Sequence, residues 1–321
     1  MDRRKFISAA AAGAMGAPAY VRAQDKVVRI IVPFATGGSG DLIPRLIAPK
    51  LSEFLKQPVI VDNRAGAGGK VGAVLVSRAE PDGFTLGVAT VSTHGIQPAV
   101  SEKPPYDPVA GFAQIGNIAM VPNVVSVNSG IHAKSVAEFV KLANSTEGGL
   151  TYASPGVGSL GHMMGELFRQ STKANLRHVP YRGAGPALQD VMGGVVDMLC
   201  DNFPASLPQI RSGRLYPLAV AWKGRLSQSP ETPTFDEVGI HDLNDPAWFG
   251  LVAPPGVAQS RVAQLHEGLV YALRDPNVEA RIKELGAVPS GNTPKEFRDQ
   301  IRAELEKWKK VAKAGNISLE A

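Results

Sequence analysis

The sequence predicts an α/β protein built as two lobes that face each other across a cleft. Short β-branched runs alternate with amphipathic helical patterns along the chain. Two glycine-rich segments, here named the first glycine turn (residues 32–41) and the second glycine turn (residues 152–162), each follow an apolar run and precede a helical pattern. They lie about 120 residues apart in a mature chain of about 300 residues, which exceeds the usual size of a single core.

The elements of the first half follow from apolar periodicity. A helix is predicted from Asp41, because Ile43, Ile47, Leu51 and Leu55 recur four residues apart. The predicted strands are 27–32, 59–61 and 84–88, followed by extended segments within 112–127 that Pro122 interrupts.

The second half continues the alternation and ends in a helix. The predicted strands are 150–153, 177–179, 195–199, 215–221 and 249–252, and the predicted helices between them are 135–144, 162–170, 186–192 and 207–211. Thr293 and Glu296 form a capping box for the last helix, whose buried stripe is Phe297, Ile301, Leu305 and Trp308. Alternating βα units imply mostly parallel sheets with ligands beyond the strand C-termini, where both glycine turns lie.

Residues 1–23 have the three parts of a secretory signal. Arg3 and Arg4 precede an uncharged Ala/Gly-rich stretch, and Ala23 ends an A-x-A-like cleavage site. The arginine pair indicates the twin-arginine form, and the stretch is too short to remain in a membrane. We therefore expect cleavage near Ala23 and a mature chain free in a bacterial periplasm; a basic cytoplasmic N-terminus is the alternative.

Charge and cysteine content narrow the class of protein. The formal net charge is +5, and removing residues 1–23, which carry +3, leaves +2. This gives no reason to expect nucleic acid or an anionic membrane as partner. Cys200 is the only cysteine, so an internal disulfide is excluded and a buried thiol is expected.

Both glycine turns have the layout of an anion site. A strand, a glycine turn and a helix start aim backbone N–H groups at an anion. In the first turn Gly37, Gly38 and Gly40 permit close approach of a ligand, and Asp41 is expected to cap the helix. An ordinary tight turn is the alternative. Hydroxyls of residues 90–93 and the Asp201 carboxylate, which could accept from an ammonium or hydroxyl, stand at other strand ends.

Catalytic signatures are missing from the sequence. The spacing Gly156-x-Gly158-x-x-Gly161 matches a dinucleotide fingerprint, but Arg177, His178 and Val179 stand where its acidic residue is expected. No nucleophile elbow, P-loop or zinc-protease motif occurs, and the six histidines are scattered. We predict anion capture without chemistry: no catalytic residue, no metal and no cofactor.

An ordered set of motifs resembles one family of bacterial receptors. The motifs are Val-Pro-Phe-x-x-Gly-Gly-x-x-Asp at 32–41, Asp-Asn-Arg-x-Gly-Ala-Gly-Gly at 62–69, Asp-Gly-Phe-Thr-Leu at 82–86, Ser-x-Gly-x-Gly-Ser at 154–159 with His162, Val-Pro-Tyr-Arg-Gly-Ala-Gly-Pro-Ala at 179–187, Gly-Gly-Val-Val-Asp at 193–197 and Trp-Phe-Gly-Leu-Val-Ala-Pro at 248–254. Together they resemble the Bug-type substrate-binding proteins of tripartite tricarboxylate transporters, over essentially the whole mature chain.

The resemblance implies a type II periplasmic binding protein fold, two α/β lobes joined by two crossover strands that close on a ligand by a hinge motion. Lobe 1 would be residues 25–124 plus 248–321, and lobe 2 residues 125–247. It also implies that backbone amides, hydroxyls and ordered waters hold a ligand carboxylate. The implied ligand-binding residues are Phe34, Gly38, Asp41, Ser92 and Thr93 in lobe 1, and Ser154, Gly158, Ser159, His162, Tyr181, Gly183 and Asp201 in lobe 2.

The resemblance finally implies a monomeric receptor that passes a di- or tricarboxylate, an amino acid or an aromatic acid to a membrane permease. Two alternatives remain open. Twin-arginine export often serves proteins that fold around cofactors, so an exported cofactor-binding oxidoreductase is one. The other is a receptor that presents its closed form to a membrane sensor.

Overall fold

Two β-sheets organise residues 26–315, the part of the chain that the computed structural model describes. The predicted signal and its cleavage near Ala23 lie outside these residues. The strands are β1 Val28–Val32, β2 Val59–Asn63, β3 Thr85–Thr90, β4 Ala113–Val121, β5 Asn123–Asn128, β6 Leu150–Ser154, β7 Leu176–Pro180, β8 Met198–Asn202, β9 Leu215–Ala221, β10 Ala247–Ala253 and β11 Val288–Pro289.

Helices follow most of the strands. They are α1 Ser39–Leu55, α2 Lys70–Ser77, α3 Gln97–Val100, α4 Val136–Ser145, α5 Leu160–Thr172, α6 Ala184–Met192, α7 Phe203–Arg211, α8 Gln259–Arg274, α9 Pro276–Glu284 and α10 Pro294–Gly315. A π-helical turn, Val91–Ile96, connects β3 to α3. No helix within residues 26–315 combines the length and apolar character needed to cross a bilayer.

The sheets are mixed. The six-stranded sheet has the order β11-β4-β10-β3-β1-β2 and the five-stranded sheet the order β7-β6-β8-β5-β9. The βα units pair in parallel, as β1 does with β2 and β3. However, β10 lies antiparallel between β3 and β4, and β5 antiparallel between β8 and β9, where mostly parallel sheets were expected. The reason is that β5 and β10 enter their sheets from the other half of the chain without a crossover helix.

The two sheets are joined at one place. Only Pro122 separates β4 from β5, and residues 222–246 connect β9 to β10. Hydrogen bonds tie these crossings together: Phe203 N–H donates to Pro122 O over 2.9 Å, and the Asn123 Nδ2 amide donates to Asp245 O over 2.9 Å. This junction is the covalent connection between the two sheets.

Core packing confirms several local predictions. Adjacent residues of the five-stranded sheet enter different apolar clusters, Tyr152 and Cys200 in one, Ala153 in another, so both faces of that sheet are covered. Cys200 is a buried free thiol, as expected. The Thr293 hydroxyl accepts from Glu296 N–H while the Glu296 carboxylate accepts from Thr293 N–H, which completes the predicted capping box.

Candidate functional site

A cavity of about 30 Å³ lies between the two sheets, where both glycine turns meet. It lies beyond the C-terminal ends of β3 and β8 and at the start of the antiparallel β10. The residues that line it are Phe34, Gly38, Ser39, Gly40, Thr90, Val91, Ser92, Pro155, Leu160, Gly161, Met164, Ala184, Asp201, Asn202, Ala247, Trp248 and Phe249. The lining combines residues beside the six-stranded sheet with residues beside the five-stranded sheet, and these two parts of the molecule are called its halves.

Helix N-termini converge on this cavity. The first residues of α1, α5 and α6 line it, namely Ser39, Leu160 and Ala184, and so does Asn202, the N-cap of α7. The first N–H groups of a helix have no partner within the helix and carry a partial positive charge. None of the lining residues is Lys, Arg or His. An anion in this site would therefore be stabilised by helix dipoles and hydroxyl groups and not by a cationic side chain.

A buried carboxylate holds the first glycine turn. Asp41 Oδ2 accepts from Gly37 N–H over 3.1 Å, and Asp41 Oδ1 accepts from Arg45 Nε over 2.8 Å and from Asn63 Nδ2 over 2.9 Å. Burial alone would raise the pKa of this carboxyl, but these hydrogen bonds outweigh it and lower the pKa. The helix begins at Ser39 rather than at the predicted Asp41, so Gly38 is the N-cap and Asp41 reaches back to the turn instead.

Histidines hold the second glycine turn. The Ser159 hydroxyl caps α5 by accepting from His162 N–H over 3.2 Å, and His162 Nδ1 accepts from Gly158 N–H over 3.2 Å. Ser154 Oγ accepts from Gly156 N–H over 3.2 Å and is hydrogen-bonded to His178 Nε2 over 2.7 Å. The turn thus depends on two imidazoles and two hydroxyls.

Those two imidazoles stack on each other and on a tyrosine. The ring centroids of His162 and His178 are 4.2 Å apart, and those of His178 and Tyr152 are 4.8 Å apart. Burial, and then the His162 imidazole, lower the pKa of His178 to about 4. Burial also lowers the pKa of His162, although the Glu166 carboxylate acts in the opposite direction. Both rings are therefore neutral near pH 7. His162 Nδ1 must be unprotonated to accept the hydrogen bond from Gly158 N–H.

Hydrogen bonds cross the cleft on both sides of the cavity. Ser92 Oγ accepts from Leu160 N–H over 3.0 Å, and Ala35 N–H donates to Arg182 O over 3.3 Å. Gln97 Nε2 donates to Val157 O in the second glycine turn over 3.1 Å and to Ala67 O in its own half over 3.1 Å. These contacts hold the closed arrangement of the two halves.

Glycines allow the two backbones to approach where the halves meet. A Cβ added at Gly38 would lie 2.9 Å from the Ala184 Cβ, and one at Gly68 would lie 2.2 Å from Val157 O. Real Cβ atoms do not approach other atoms so closely. Gly38 therefore needs glycine for contact across the cleft, and Gly68, with a φ of 61°, needs it for turn geometry as well.

The predicted site residues fall into two groups. Phe34, Gly38, Ser92 and Asp201 line the cavity. The remaining eight lie outside its lining, at positions that shape the surrounding turns: Asp41, Thr93, Ser154, Gly158, Ser159, His162, Tyr181 and Gly183. Among these, Thr93 caps the π-helical turn together with Thr90, the Tyr181 hydroxyl donates to Asp190 Oδ2 over 2.6 Å, and Gly183 packs against Ala35. Contact of any of the twelve with a ligand stays a prediction.

Sequence reasoning missed several residues of the site. Ser39 accepts from Ala205 N–H across the cleft over 3.1 Å, and Trp248 and Phe249 line the cavity. Recognising β10 as an antiparallel strand would have placed its first residues there. His178 and Gln97 carry no signal of their own, because their partners lie 24 and 60 residues away along the chain.

The fold and the site can be compared with known proteins. The model of the tripartite tricarboxylate transporter family receptor matches residues 43–317. Protein BugT of Bordetella pertussis is 33% identical over 294 residues, covering 91% of this chain and 90% of BugT.

Three solved structures are similar over most of the chain. A protein described as a periplasmic transporter has a TM-score of 0.89 at 42% identity, covering 93% of this chain and all of its own. MatC from Rhodopseudomonas palustris with bound malate has a TM-score of 0.85 at 32% identity, and the match covers 89% of this chain and 98% of MatC. A second R. palustris protein, with adipate, has a TM-score of 0.86 at 34% identity, and the match covers 91% of this chain and 97% of that protein.

These similarities confirm the two-lobed periplasmic binding protein fold expected from the sequence. With the family model matched along 43–317 and a Bug protein aligned along nine-tenths of the sequence, the chain belongs to the receptor family of tripartite tricarboxylate transporters, in its Bug-type branch.

Proposed function

We propose that this protein is a periplasmic receptor that binds a small carboxylate in the cavity and passes it to the membrane permease of a tripartite tricarboxylate transporter. Family membership supports the receptor role. The malate bound to MatC and the adipate bound to its R. palustris relative support the ligand class. In this proposal the protein acts as a monomer, carries no cofactor and catalyses no reaction.

The observation that carries the proposal is the convergence of helix N-termini from both halves on one cavity without a basic side chain. One helix end stabilises an anion by about 0.3–2 kcal/mol, and charge-assisted hydrogen bonds from N–H and hydroxyl groups add to this. Ser39, Thr90 and Ser92 supply such hydroxyls. A carboxylate fits these donors better than a cation or an uncharged ligand does.

Binding then requires a hinge motion. A cavity of about 30 Å³ is too small for a dicarboxylate, so the halves must separate to admit one. We propose that the lobe boundaries lie at Pro122 and within 222–246, within two residues of the boundaries that the resemblance implies, and that bending occurs there. The contacts of Ser92 and Gln97 across the cleft form on closure, and the permease would bind the closed form.

Calorimetric titration with a panel of mono-, di- and tricarboxylates, amino acids and aromatic acids tests the proposal. At least one acid should bind, and an amine of the same carbon skeleton should not. Gly38→Val should abolish binding, because Gly38 has an extended backbone that accepts valine but its side chain would meet Ala184. Gly224→Val is the matched control, since nothing lies within 4 Å of its Cβ position. Silence across the whole panel would overturn the proposal.

Transport and sensing differ in the partner that binds the closed form. Capture from solubilised membranes, with and without the identified acid, separates them. A co-purified permease that depends on the acid supports transport. A co-purified sensor kinase in its place would replace the transport part of the proposal and leave the carboxylate site intact.

A further inference from the structure

Asp201 stands apart from every other group in the cavity. It is the penultimate residue of β8, only 3% of its surface is exposed, and it is one of the residues that line the cavity. Its Oδ2 atom is buried and has no hydrogen-bond partner among residues 26–315. Buried polar atoms in folded proteins are nearly always paired, so this oxygen needs a donor from outside the chain.

The surroundings of Asp201 supply no counter-charge. It is the only ionisable side chain in the cavity lining. Burial raises the pKa of this carboxyl to about 7, although a hydrogen bond from Asn202 N–H opposes the shift. A buried carboxylate oxygen that has neither a cation nor a donor beside it is unfavourable, and a ligand that brings a donor relieves that cost.

A ligand carboxylate alone would make the situation worse. The helix N-termini attract it into the same small cavity, where it would face the Asp201 carboxylate, and two carboxylates in one site repel each other. The repulsion disappears when the ligand places a hydroxyl or an ammonium between its carboxylate and Asp201. Asp201 then accepts a hydrogen bond, and the helix ends bind the ligand carboxylate.

We infer that Asp201 determines specificity: it accepts from a hydrogen-bond donor next to the ligand carboxylate, so the site selects 2-hydroxy or 2-amino carboxylic acids over their unsubstituted counterparts. This inference rests on the proposed function and narrows its ligand class.

Matched pairs of acids test the inference by calorimetry at pH 8, where Asp201 is ionised. The pairs are malate or aspartate against succinate, lactate against propionate, and mandelate against phenylacetate. For whichever skeleton binds, we expect the acid with the donor to bind about 10- to 100-fold more tightly, as a charge-assisted hydrogen bond predicts. A larger gain with the amine identifies an amino acid as ligand, and a larger gain with the hydroxyl a hydroxy acid.

Asp201→Asn keeps the shape of the side chain and removes its charge. In this variant the preference should fall by about tenfold or more, and the unsubstituted acid should bind as well as or better than it does to the natural protein. Asp201→Ser, which lacks the carboxylate altogether, should behave in the same way and serves if the amide variant does not fold. Melting temperatures of both variants establish that they are folded.

The outcomes separate the two proposals. If the substituted and unsubstituted acids bind equally to the natural protein, or if Asp201→Asn keeps the full preference, the inference is wrong and the carboxylate receptor stands. If no acid binds at all, the proposed function fails and the inference fails with it.

Discussion

The two glycine turns share one layout and differ in the chemistry that holds them. The first is held by the Asp41 carboxylate, which accepts from Gly37 N–H and is itself satisfied by Arg45 and Asn63. The second is held by neutral imidazoles, with Gly158 N–H donating to His162 and Ser154 linked to His178. A similar strand–turn–helix unit can therefore be stabilised by a charged or a neutral acceptor.

This difference has a consequence for the response to acid. Hydrogen bonds keep Asp41 ionised at mildly acidic pH, whereas His162 must stay unprotonated at Nδ1 to accept from the second turn. The first turn should consequently resist acid and the second should not. It also follows that removing the acceptor should cost more in the first turn, where three donors would each lose a hydrogen bond, than in the second, where one would.

The largest effect is expected for Asp41→Ala. The change leaves the Gly37, Asn63 and Arg45 donors without their acceptor, and should lower the free energy of unfolding by about 2–4 kcal/mol. Urea denaturation measures this. Asp62→Ala is the control, because Asp62 forms a partly exposed ion pair with Arg64, and its loss should cost less than about 1 kcal/mol. Equal effects of the two changes would contradict the assigned role of Asp41.

Acid should weaken the second turn through His178. Its pKa is about 4 in the folded protein and about 6.5 when unfolded, so between these values the unfolded state binds more protons. The stabilisation is complete above pH 6.5 and is lost as the pH falls towards 4. We expect a loss of about 1–2 kcal/mol, because partial exposure screens the effect.

Comparison with His178→Gln isolates this contribution. Urea denaturation of both proteins at several values between pH 7.5 and 4.5 should show a shallower fall for the variant. Titrating groups that have no contact with His178, including the buried His94 and Asp201, are present in both proteins and cancel in the difference. Parallel pH profiles would contradict the assignment.

His162→Ala tests the acceptor of the second turn directly. Without Nδ1 the Gly158 N–H loses its partner, and the free energy of unfolding should fall by about 1–2 kcal/mol. His162→Asn should recover part of this loss, since the Asn Oδ1 atom can replace Nδ1 as acceptor. Thermal or urea unfolding of the three proteins gives the comparison. If His162→Asn is destabilised as much as His162→Ala, the hydrogen bond to His162 does not contribute to stability and only the packing of the ring matters.

The smallest effect is expected where the second turn meets the other half of the molecule. Gln97→Leu removes the hydrogen bonds to Val157 O and Ala67 O, which should weaken ligand binding about 5- to 20-fold, mainly through faster dissociation. Stopped-flow dissociation measures the rate. Gln189→Leu, the same substitution at an exposed position, serves as the control. An unchanged dissociation rate would mean that Gln97 does not help to keep the cleft closed.

Local sequence signals predicted the elements well, because they depend on neighbours along the chain. The strand 215–221 was predicted with the bounds that β9 has, and the Thr293 capping box formed as expected. The start of α1 was predicted two residues late, because Asp41 looks like a cap although it binds the preceding turn. The direction of β10 could not be predicted, since strand pairing depends on residues more than a hundred positions away.

By itself the sequence determined the α/β class, the two glycine turns, the receptor family and the absence of a recognisable catalytic motif, all of which lie in short segments. Only the tertiary structure decided which polar residues line the cavity, that His178 supports the second turn, and that Asp201 Oδ2 is buried without a hydrogen-bond partner among residues 26–315. The physical reason is that burial and unpaired hydrogen-bonding groups arise from contacts between distant segments. Local periodicity says nothing about those contacts.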